Sequence, residues 1–307
     1  MGIARSRRTL LVLLVGLSLL GLSGARSGAA TVSAQGATFD CPAPATPAAA
    51  ASSSGASASP VVMEAPFPEA GGDLTVFAAS SLTDAFEQIE TDLEAAHPGL
   101  QITYNFGGSQ ALVTQLSEGA QADAFASANN AQMTAATDNG SISGAPITFV
   151  HNRLAIVTPK DNPAGITSPA DLGEEGLKIV LAQAEVPVGR YARESVCTMG
   201  QDPVAFGEDF VARVAGNVVS EEEDVRDVLA KVTLGEADAG SVYVSDAASA
   251  GDEVQVIEIP DALNIVASYP IAAVTGGDAA LADAFMAYVL SPEGQATLVD
   301  FGFEPVR

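Results

Sequence analysis

The sequence predicts an α/β protein of two lobes, with mainly parallel sheets and two crossovers between the lobes. Apolar runs of strand length alternate with segments of helical spacing, an order typical of parallel sheets that carry helices on both faces. Two long extended runs, 149–157 and 265–274, flank a block that has strands and helices of its own. The chain has 307 residues, which suits about two domains. A single doubly wound domain with insertions is the alternative topology.

The first lobe is predicted over residues 73–150 and 267–307. Its first strand ends in small residues, and apolar residues then recur every three or four positions on one face of a helix. The sequence His97-Pro98-Gly99 is expected to stop this helix, because proline cannot continue it. The predicted elements are a strand at 74–77, a helix at 82–96, a strand at 100–106, a helix from 109 to about 119, a strand at 124–126 leading into a helix, and a helix at 279–290.

The second lobe is predicted over residues 151–266. Apolar runs predict strands at 179–182 and 239–244, and helical spacing predicts helices at 188–197 and 223–234. The acidic run Glu221-Glu222-Glu223-Asp224 resembles a metal cluster at first sight. We interpret it as the first turn of the helix at 223–234, where carboxylates complement the helix dipole.

The N-terminus is interpreted as an export signal over residues 1–36, followed by an Ala/Ser/Pro-rich linker over 37–72. Three arginines between residues 5 and 8 precede an apolar run that is short for a membrane span. Either a Sec or a twin-arginine route fits this pattern. We therefore expect an exported protein, periplasmic or otherwise extracytoplasmic, and tethering to a surface stays open.

The chain has two cysteines, Cys41 and Cys197, and no clustered histidines that would complete a metal-ligand motif. Cys41 follows Thr38-Phe39-Asp40, whereas a lipid-anchoring cysteine would follow small and aliphatic residues. Export permits a disulfide between the two cysteines, but the sequence alone does not establish it.

The formal net charge of −25 at pH 7 argues against nucleic acid or an anionic membrane as a partner. Between residues 30 and 152 there is no Lys or Arg at all. An anion bound by the first lobe would therefore have to be held by neutral hydrogen-bond donors.

A candidate anion site lies at the end of the first strand. Ser80 and Ser81 follow the strand and open a helix, which leaves free N–H groups and the positive end of the helix dipole at the C-terminal edge of the sheet. Open α/β sheets bind ligands at this edge, and a helix N-terminus suits an anion. A serine pair that only caps the helix is the alternative.

Four segments stand in order along the chain: VFAASSL at 76–82, FGGSQAL at 106–112, VPVGRYA at 186–192, and EDVR at 223–226 with VYVSDA at 242–247. Shorter matches lie at 122–128 and between 291 and 303. Together they resemble the molybdate-binding proteins of ABC uptake systems, over residues 74–307. The resemblance implies the two-lobe fold of type II periplasmic binding proteins, with the ligand in the cleft between the lobes.

The resemblance also implies the ligand and its contacts. Molybdate, and tungstate with it, would be held by five residues: the hydroxyl and backbone N–H groups of Ser81 and Ser109, the backbone N–H groups of Val188 and Val225, and the hydroxyl of Tyr243. Molybdenum would be bound only as the oxyanion, with no protein atom on the metal, and no cofactor is implied. The implied partners are the transmembrane subunits of an ABC permease, and the protein is expected to be a monomer and not an enzyme.

Alternatives stay open beside this hypothesis. The same fold could bind another tetrahedral oxyanion such as sulfate or phosphate, and Arg190 could either contact that anion or lie on a solvated helix face. A serine hydrolase is the contrasting class. It is disfavoured because the segment around Ser109 ends in Ala where a nucleophile elbow has Gly, and because neither His97 nor His151 is expected beside that serine. A carboxylate at Asp123 would repel an anion, so we expect it to brace a turn instead.

Overall fold

The computed structural model describes residues 37, 39–41 and 65–306. The described residues belong to one compact unit, Gln35–Arg307. The predicted export signal, residues 1–36, and most of the predicted linker lie outside the described residues.

Ten strands are present in the described part of the chain, and they belong to one sheet. They are β1 (Gly72–Ala79), β2 (Leu100–Gly107), β3 (Ala124–Ala126), β4 (Ile142–Pro159), β5 (Ile179–Ala182), β6 (Val218–Glu222), β7 (Ala239–Tyr243), β8 (Val254–Glu258), β9 (Val266–Val274) and β10 (Glu304–Pro305).

Ten α-helices and three short 3-10 segments connect these strands within the described residues. The helices are α1 (Thr83–Ala96), α2 (Ser109–Ser117), α3 (Asn130–Asp138), α4 (Pro187–Met199), α5 (Pro203–Phe206), α6 (Phe210–Asn217), α7 (Val225–Thr233), α8 (Val244–Ala250), α9 (Ala279–Leu290) and α10 (Pro292–Asp300), and the 3-10 segments are Ser80–Leu82, Pro169–Gly173 and Gly251–Glu253.

The strand order is β2-β1-β3-β9-β4-β7-β5-β6, with β8 and β10 also paired to β4. Pairing is parallel among β1, β2 and β3 and again among β5, β6 and β7. The long strands β4 and β9 run antiparallel to their neighbours and join the two parallel groups. The predicted α/β class, with two parallel groups and two long crossing strands, is confirmed.

The first parallel group forms because its apolar residues are buried on both faces of the sheet. Successive residues of β1, from Val76 to Ala79, point to alternate faces, and all four are buried. Phe86 and Ile89 of α1 are fully buried against the sheet, as the helical spacing predicts. This packing fixes the point at which β1 ends and α1 begins.

Serine capping of the first helix was a wrong prediction. Residues Ser80–Leu82 form a 3-10 turn, Ala79 occupies its N-cap position, and no side chain caps it. Instead, the Ser80 carbonyl accepts a hydrogen bond from the Thr83 hydroxyl. The Ser81 hydroxyl is thereby free for contacts deeper in the molecule.

The interpretation of the acidic run as the start of a helix holds only for Asp224. Glu221 and Glu222 lie in strand β6, and Asp224 is the N-cap of α7, whose first residue is Val225. Strand β6 lies at the end of the sheet order, and its two valines are followed by three polar residues, so its sequence has no apolar run of strand length. The helices α5, α6, α8 and α10 and the strands β6, β8 and β10 were not predicted, and β4 begins seven residues before the predicted extended run.

Cys41 and Cys197 form a disulfide bond. Phe39 lies under the guanidinium group of Arg193, with 5.5 Å between the guanidinium carbon and the ring centroid. The segment that contains residues 37 and 39–41 is therefore held against α4. Near the other end of the predicted linker, Phe67 packs against His97, with 4.8 Å between ring centroids.

None of the helices in the described part of the chain combines the length and the apolar character that crossing a membrane requires.

Candidate functional site

A small pocket lies where β1, β2 and β7 end and where four helical segments begin. It is small, with about 190 Å³ of space including the part that is open to solvent. Its lining consists of Ala79, Ser80, Ser81, Gly107, Ala128, Val186, Pro187, Val188, Val225 and Tyr243. A pocket of this size suits a small ion better than a sugar or a peptide.

Four of the five predicted contact residues, Ser81, Val188, Val225 and Tyr243, line this pocket. The fifth, Ser109, is 1% exposed and lies beside it, since its hydroxyl oxygen accepts a hydrogen bond from the N–H of the lining residue Ala128 at 3.0 Å. The structure therefore brings all five residues together, although they are spread over more than 160 positions of the sequence.

Within the described residues, three of the helical segments that begin at the pocket have no side-chain cap. The 3-10 segment before α1, and the helices α2 and α4, have no side-chain hydrogen bond at the N-cap. In α7, Asp224 accepts from the N–H groups of Arg226 and Asp227 but not from that of Val225. By contrast, α3, α9 and α10, which begin elsewhere, are each capped by a side chain. Free N–H groups and helix dipoles thus converge on one point, the arrangement that binds anions.

The hydroxyl groups at the pocket are buried and neutral. Tyr243 is 1% exposed, and its hydroxyl has no hydrogen-bond partner among the described residues. Burial raises the pKa of Tyr243 well above its ordinary value, and the same cause raises the pKa of the neighbouring Tyr269. Both side chains therefore keep their protons at physiological pH and can donate them.

No charged side chain of the described residues lines the pocket. Arg226, which follows Val225, is already paired: its guanidinium group lies 2.6 Å from the carboxylate of Asp84 and 2.9 Å from that of Asp246. Arg190 forms an exposed ion pair with Glu194, which supports the solvated alternative for this residue. The partial charges at the pocket therefore come from backbone and hydroxyl dipoles.

Asp123 braces the sheet away from the pocket, as the sequence predicts. Its two carboxylate oxygens accept from the N–H groups of Thr75 and Asp278, each at 2.7 Å. It thereby fixes the N-terminus of α9 to β1.

Three side-chain contacts join the β1–β3 side of the molecule to the β5–β7 side around the pocket. The amide of Gln110 donates to the carbonyl of Glu223 at 2.9 Å, and the amide of Gln132 donates to the carbonyl of Glu185 at 3.1 Å. The Arg226–Asp84 ion pair is the third. We call these three contacts the interlobe clasp. They flank the starts of α4 and α7, which carry Val188 and Val225.

Sequence reasoning missed the residues behind the pocket. Tyr269 and Asn152 are fully buried, and the Tyr269 hydroxyl lies 2.9 Å from that of Ser81. Asp246 is also fully buried and accepts from the Tyr243 N–H at 3.1 Å. Tyr269 and Asn152 belong to the apolar runs that form β9 and β4. The spacing of residues in such a run does not show which polar residue has a role at the site.

The hydrolase alternative finds no support in the positions of the histidines. The His97 ring packs on Phe67, and the Nδ1 atom of His151 lies 3.2 Å from the Ser268 hydroxyl. Ser109 instead has its hydroxyl bound to the backbone N–H of Ala128. No histidine base is therefore placed beside this serine.

Comparison with known proteins gives a consistent result. Residues 74–304 match the family model described as bacterial extracellular solute-binding protein. The molybdate-binding protein ModA of Mycobacterium tuberculosis is 41% identical over 231 residues, which are 75% of this chain and 84% of that protein. A sulfate-binding protein of Synechococcus elongatus is 27% identical over 280 residues, 83% of this chain and 76% of that protein.

A solved structure extends the comparison to the fold. The substrate-binding domain of a putative molybdenum ABC transporter from Clostridium difficile superposes with a TM-score of 0.58 at 28% identity, and the match covers 76% of this chain and 99% of that domain.

Proposed function

The chain belongs to the family of bacterial extracellular solute-binding proteins, and we propose that it captures molybdate in the pocket described above and delivers it to an ABC permease. The observation that carries this proposal is the convergence of uncapped helix starts and buried hydroxyls on one small pocket without charged walls. The names of the relatives point to the same class of ligand.

In this proposal each of the five residues donates to the anion. Ser81 and Ser109 donate from hydroxyl and backbone N–H groups, Val188 and Val225 donate from the backbone, and Tyr243 donates from its hydroxyl. The first two belong to the β1–β3 side and the other three to the β5–β7 side, so the bound anion holds the two sides together.

Neutral donors suit a ligand that must be released again. A tetrahedral dianion gains hydrogen bonds and the favourable field of the helix dipoles at each contact. A buried cation would add a large interaction that depends strongly on geometry. Arg226 is already paired with two carboxylates. The anion therefore forms no buried ion pair that would have to break before it is released.

Sulfate is the second candidate ligand, because a sulfate-binding protein is among the relatives. Molybdate, tungstate and sulfate are all tetrahedral dianions, so we propose that pocket size selects between them. The proposal includes tungstate as a second ligand, because its charge and shape match those of molybdate.

We further propose that the protein acts outside the cytoplasm, as a monomer, and that it has a transport role and no enzymatic one. The family and the relatives support the location. The disulfide supports an oxidising compartment.

Calorimetric titration of the exported protein with molybdate, tungstate, sulfate and phosphate tests the proposal. We expect tight binding of molybdate and tungstate and much weaker binding of phosphate. Tight sulfate binding with molybdate silent would reassign the ligand while keeping the site, and no heat with any of the four anions would overturn the proposed function.

A further inference from the structure

The two long strands that join the halves of the molecule place a polar chain behind the pocket. Asn152 lies in β4 and Tyr269 lies in β9, and both are fully buried. Their polar atoms meet each other and the hydroxyl of Ser81. Buried polar groups in a protein interior are costly unless they are satisfied, so the direction of each hydrogen bond in this chain can be worked out.

The orientation of the Asn152 amide fixes the start of the chain. Its Oδ1 atom faces the N–H of Arg153 at 2.9 Å, and an N–H can only donate, so the oxygen assignment is determined. The Nδ2 atom therefore faces the other way. It donates to the Ser245 hydroxyl at 2.8 Å, and its second hydrogen faces the Tyr269 hydroxyl at 3.5 Å.

By distance alone either hydroxyl of the Tyr269–Ser81 pair could donate, and the Asn152 amide favours Tyr269 as the donor. An amide nitrogen has no acceptor capacity, so the phenolic proton of Tyr269 cannot be directed at Asn152. The Ser81 hydroxyl oxygen, at 2.9 Å, is the hydrogen-bonded acceptor, since the neighbouring Tyr243 hydroxyl makes no hydrogen bond within the described part of the chain. Since Ser81 accepts this bond, its own proton is left for the pocket that it lines.

The Ser109 hydroxyl is oriented in the same way, by a backbone N–H group instead of a side chain. Its hydroxyl oxygen accepts from the Ala128 N–H, which again leaves its proton for a ligand. Both serines at the pocket are thus acceptors towards the protein and donors towards the ligand.

We propose that Asn152 and Tyr269 are positioning residues that fix Ser81 as a donor to the bound oxyanion. Neither residue lines the pocket, and each acts through the next hydroxyl in the chain. The arrangement favours an anion that carries no proton and penalises one that must donate a proton, such as hydrogen phosphate. The inference rests on the proposed function for the identity of the anion, but the direction of the hydrogen bonds does not.

A double-mutant cycle tests the inference on the exported protein. We expect Tyr269→Phe, which removes only the hydroxyl, to weaken molybdate binding about tenfold. On a Ser81→Ala background the same change should cost little, because the hydroxyl that it orients is gone. Tyr104→Phe is the matched control: it removes a largely buried tyrosine hydroxyl that donates to the Phe86 carbonyl, outside the pocket lining, and should leave affinity unchanged.

Competition between molybdate and phosphate near pH 8 distinguishes two roles of Tyr269: orientation of the Ser81 hydroxyl, and packing alone. If Tyr269 orients Ser81, the ratio of molybdate to phosphate affinity falls in Tyr269→Phe, because a freed Ser81 hydroxyl can accept from hydrogen phosphate. A role in packing alone would weaken both anions equally, and that result would overturn the inference.

Vibrational spectroscopy reads the hydrogen-bond direction without any ligand. The difference Raman spectrum between the wild type and Tyr269→Phe isolates the bands of Tyr269, whose intensities distinguish a donating from an accepting phenol. We expect a donor, and an acceptor would overturn the inference even if molybdate binds. Failure of the wild type to bind molybdate, with Tyr269 still a donor, would instead overturn only the proposed function.

Discussion

At the scale of single residues, the hydroxyls of Ser109 and Tyr243 give the most direct test of the site. Each is buried at the pocket, and each should donate to a charged acceptor. We expect Ser109→Ala and Tyr243→Phe each to weaken molybdate binding by about 1.5–3 kcal/mol, measured by calorimetric titration.

Ser117→Ala is the control for the first of these changes, since Ser117 ends the same helix and its exposed hydroxyl donates to the Thr114 carbonyl. Unchanged affinity in both pocket variants would show that the site has been assigned to the wrong residues.

The buried carboxyl of Asp246 should give stability an unusual pH dependence. Burial raises the pKa of Asp246 from 3.8 to about 6, although Arg226 and the N–H of Tyr243 oppose the shift. Between these two values the folded protein holds a proton that the unfolded chain has lost. The contribution of this group to the free energy of unfolding therefore increases as the pH falls from about 6 to about 4.

An Asp246→Asn variant lacks this titration. We expect the stability of the wild type relative to the variant, measured by denaturant unfolding, to rise as the pH is lowered from 7 to 4. A difference that stays constant over this range would contradict the raised pKa.

The residues that line the pocket could be predicted from the sequence better than the residues that contact them from behind, such as Tyr269. Ser81 and Ser109 follow strands and begin helical segments, so their positions at the sheet edge follow from the chain order. Tyr269 lies within the apolar strand Val266–Val274, where its hydroxyl contact depends on a residue 188 positions away. The local pattern of apolar and polar residues contains no information about a contact between residues so far apart in the sequence.

At the scale of elements, Gly189 determines how closely α4 approaches the sheet. A Cβ atom there would overlap the backbone carbonyls of Ala182 and Gln183 at the end of β5. We expect Gly189→Ala to displace the start of α4, with the Val188 N–H, and so to destabilise the fold by about 1–3 kcal/mol and weaken molybdate binding.

Gly216→Ala is the matched control, because a Cβ at this position in α6 meets no atom within 4 Å. Thermal unfolding and titration of the two variants side by side make the comparison. Equal behaviour of the two would refute the close approach of α4 to β5.

Elements with a continuous buried run were predicted with the right bounds, and elements with few buried residues were not. The strands β3 and β5 and the helix α9 have the predicted bounds, because their apolar residues are buried together. The edge strand β6 and the exposed end of β4 have few buried residues. Their strand conformation depends on hydrogen bonds to neighbouring strands, which the local sequence does not show.

At the scale of the whole molecule, the interlobe clasp should favour the closed arrangement of the two sides. The Arg226–Asp84 pair is partly exposed, with side chains 27% and 37% accessible, so it is worth about 1 kcal/mol or less. Contacts that stabilise the binding-competent arrangement raise the apparent affinity, because less binding energy is spent on closure.

We therefore expect Asp84→Asn to speed molybdate dissociation two- to fivefold, and to increase the radius of gyration of the free protein in X-ray scattering. Glu87→Gln removes the same charge from an exposed position of the same helix and should do neither. Identical behaviour of the two variants would exclude a role for this ion pair in closure.

The disulfide also changes how mechanical load passes through the molecule. Cys41 is bonded to Cys197 on α4, whereas the chain reaches β1 only at Gly72. A pull on the chain ahead of Cys41 is therefore transmitted through the sulfur atoms to α4, and the peptide between Cys41 and β1 is bypassed. If the protein is held to a surface by its N-terminus, the load is carried by the β5–β7 side. The β1–β3 side then bears no load and can move relative to the other side.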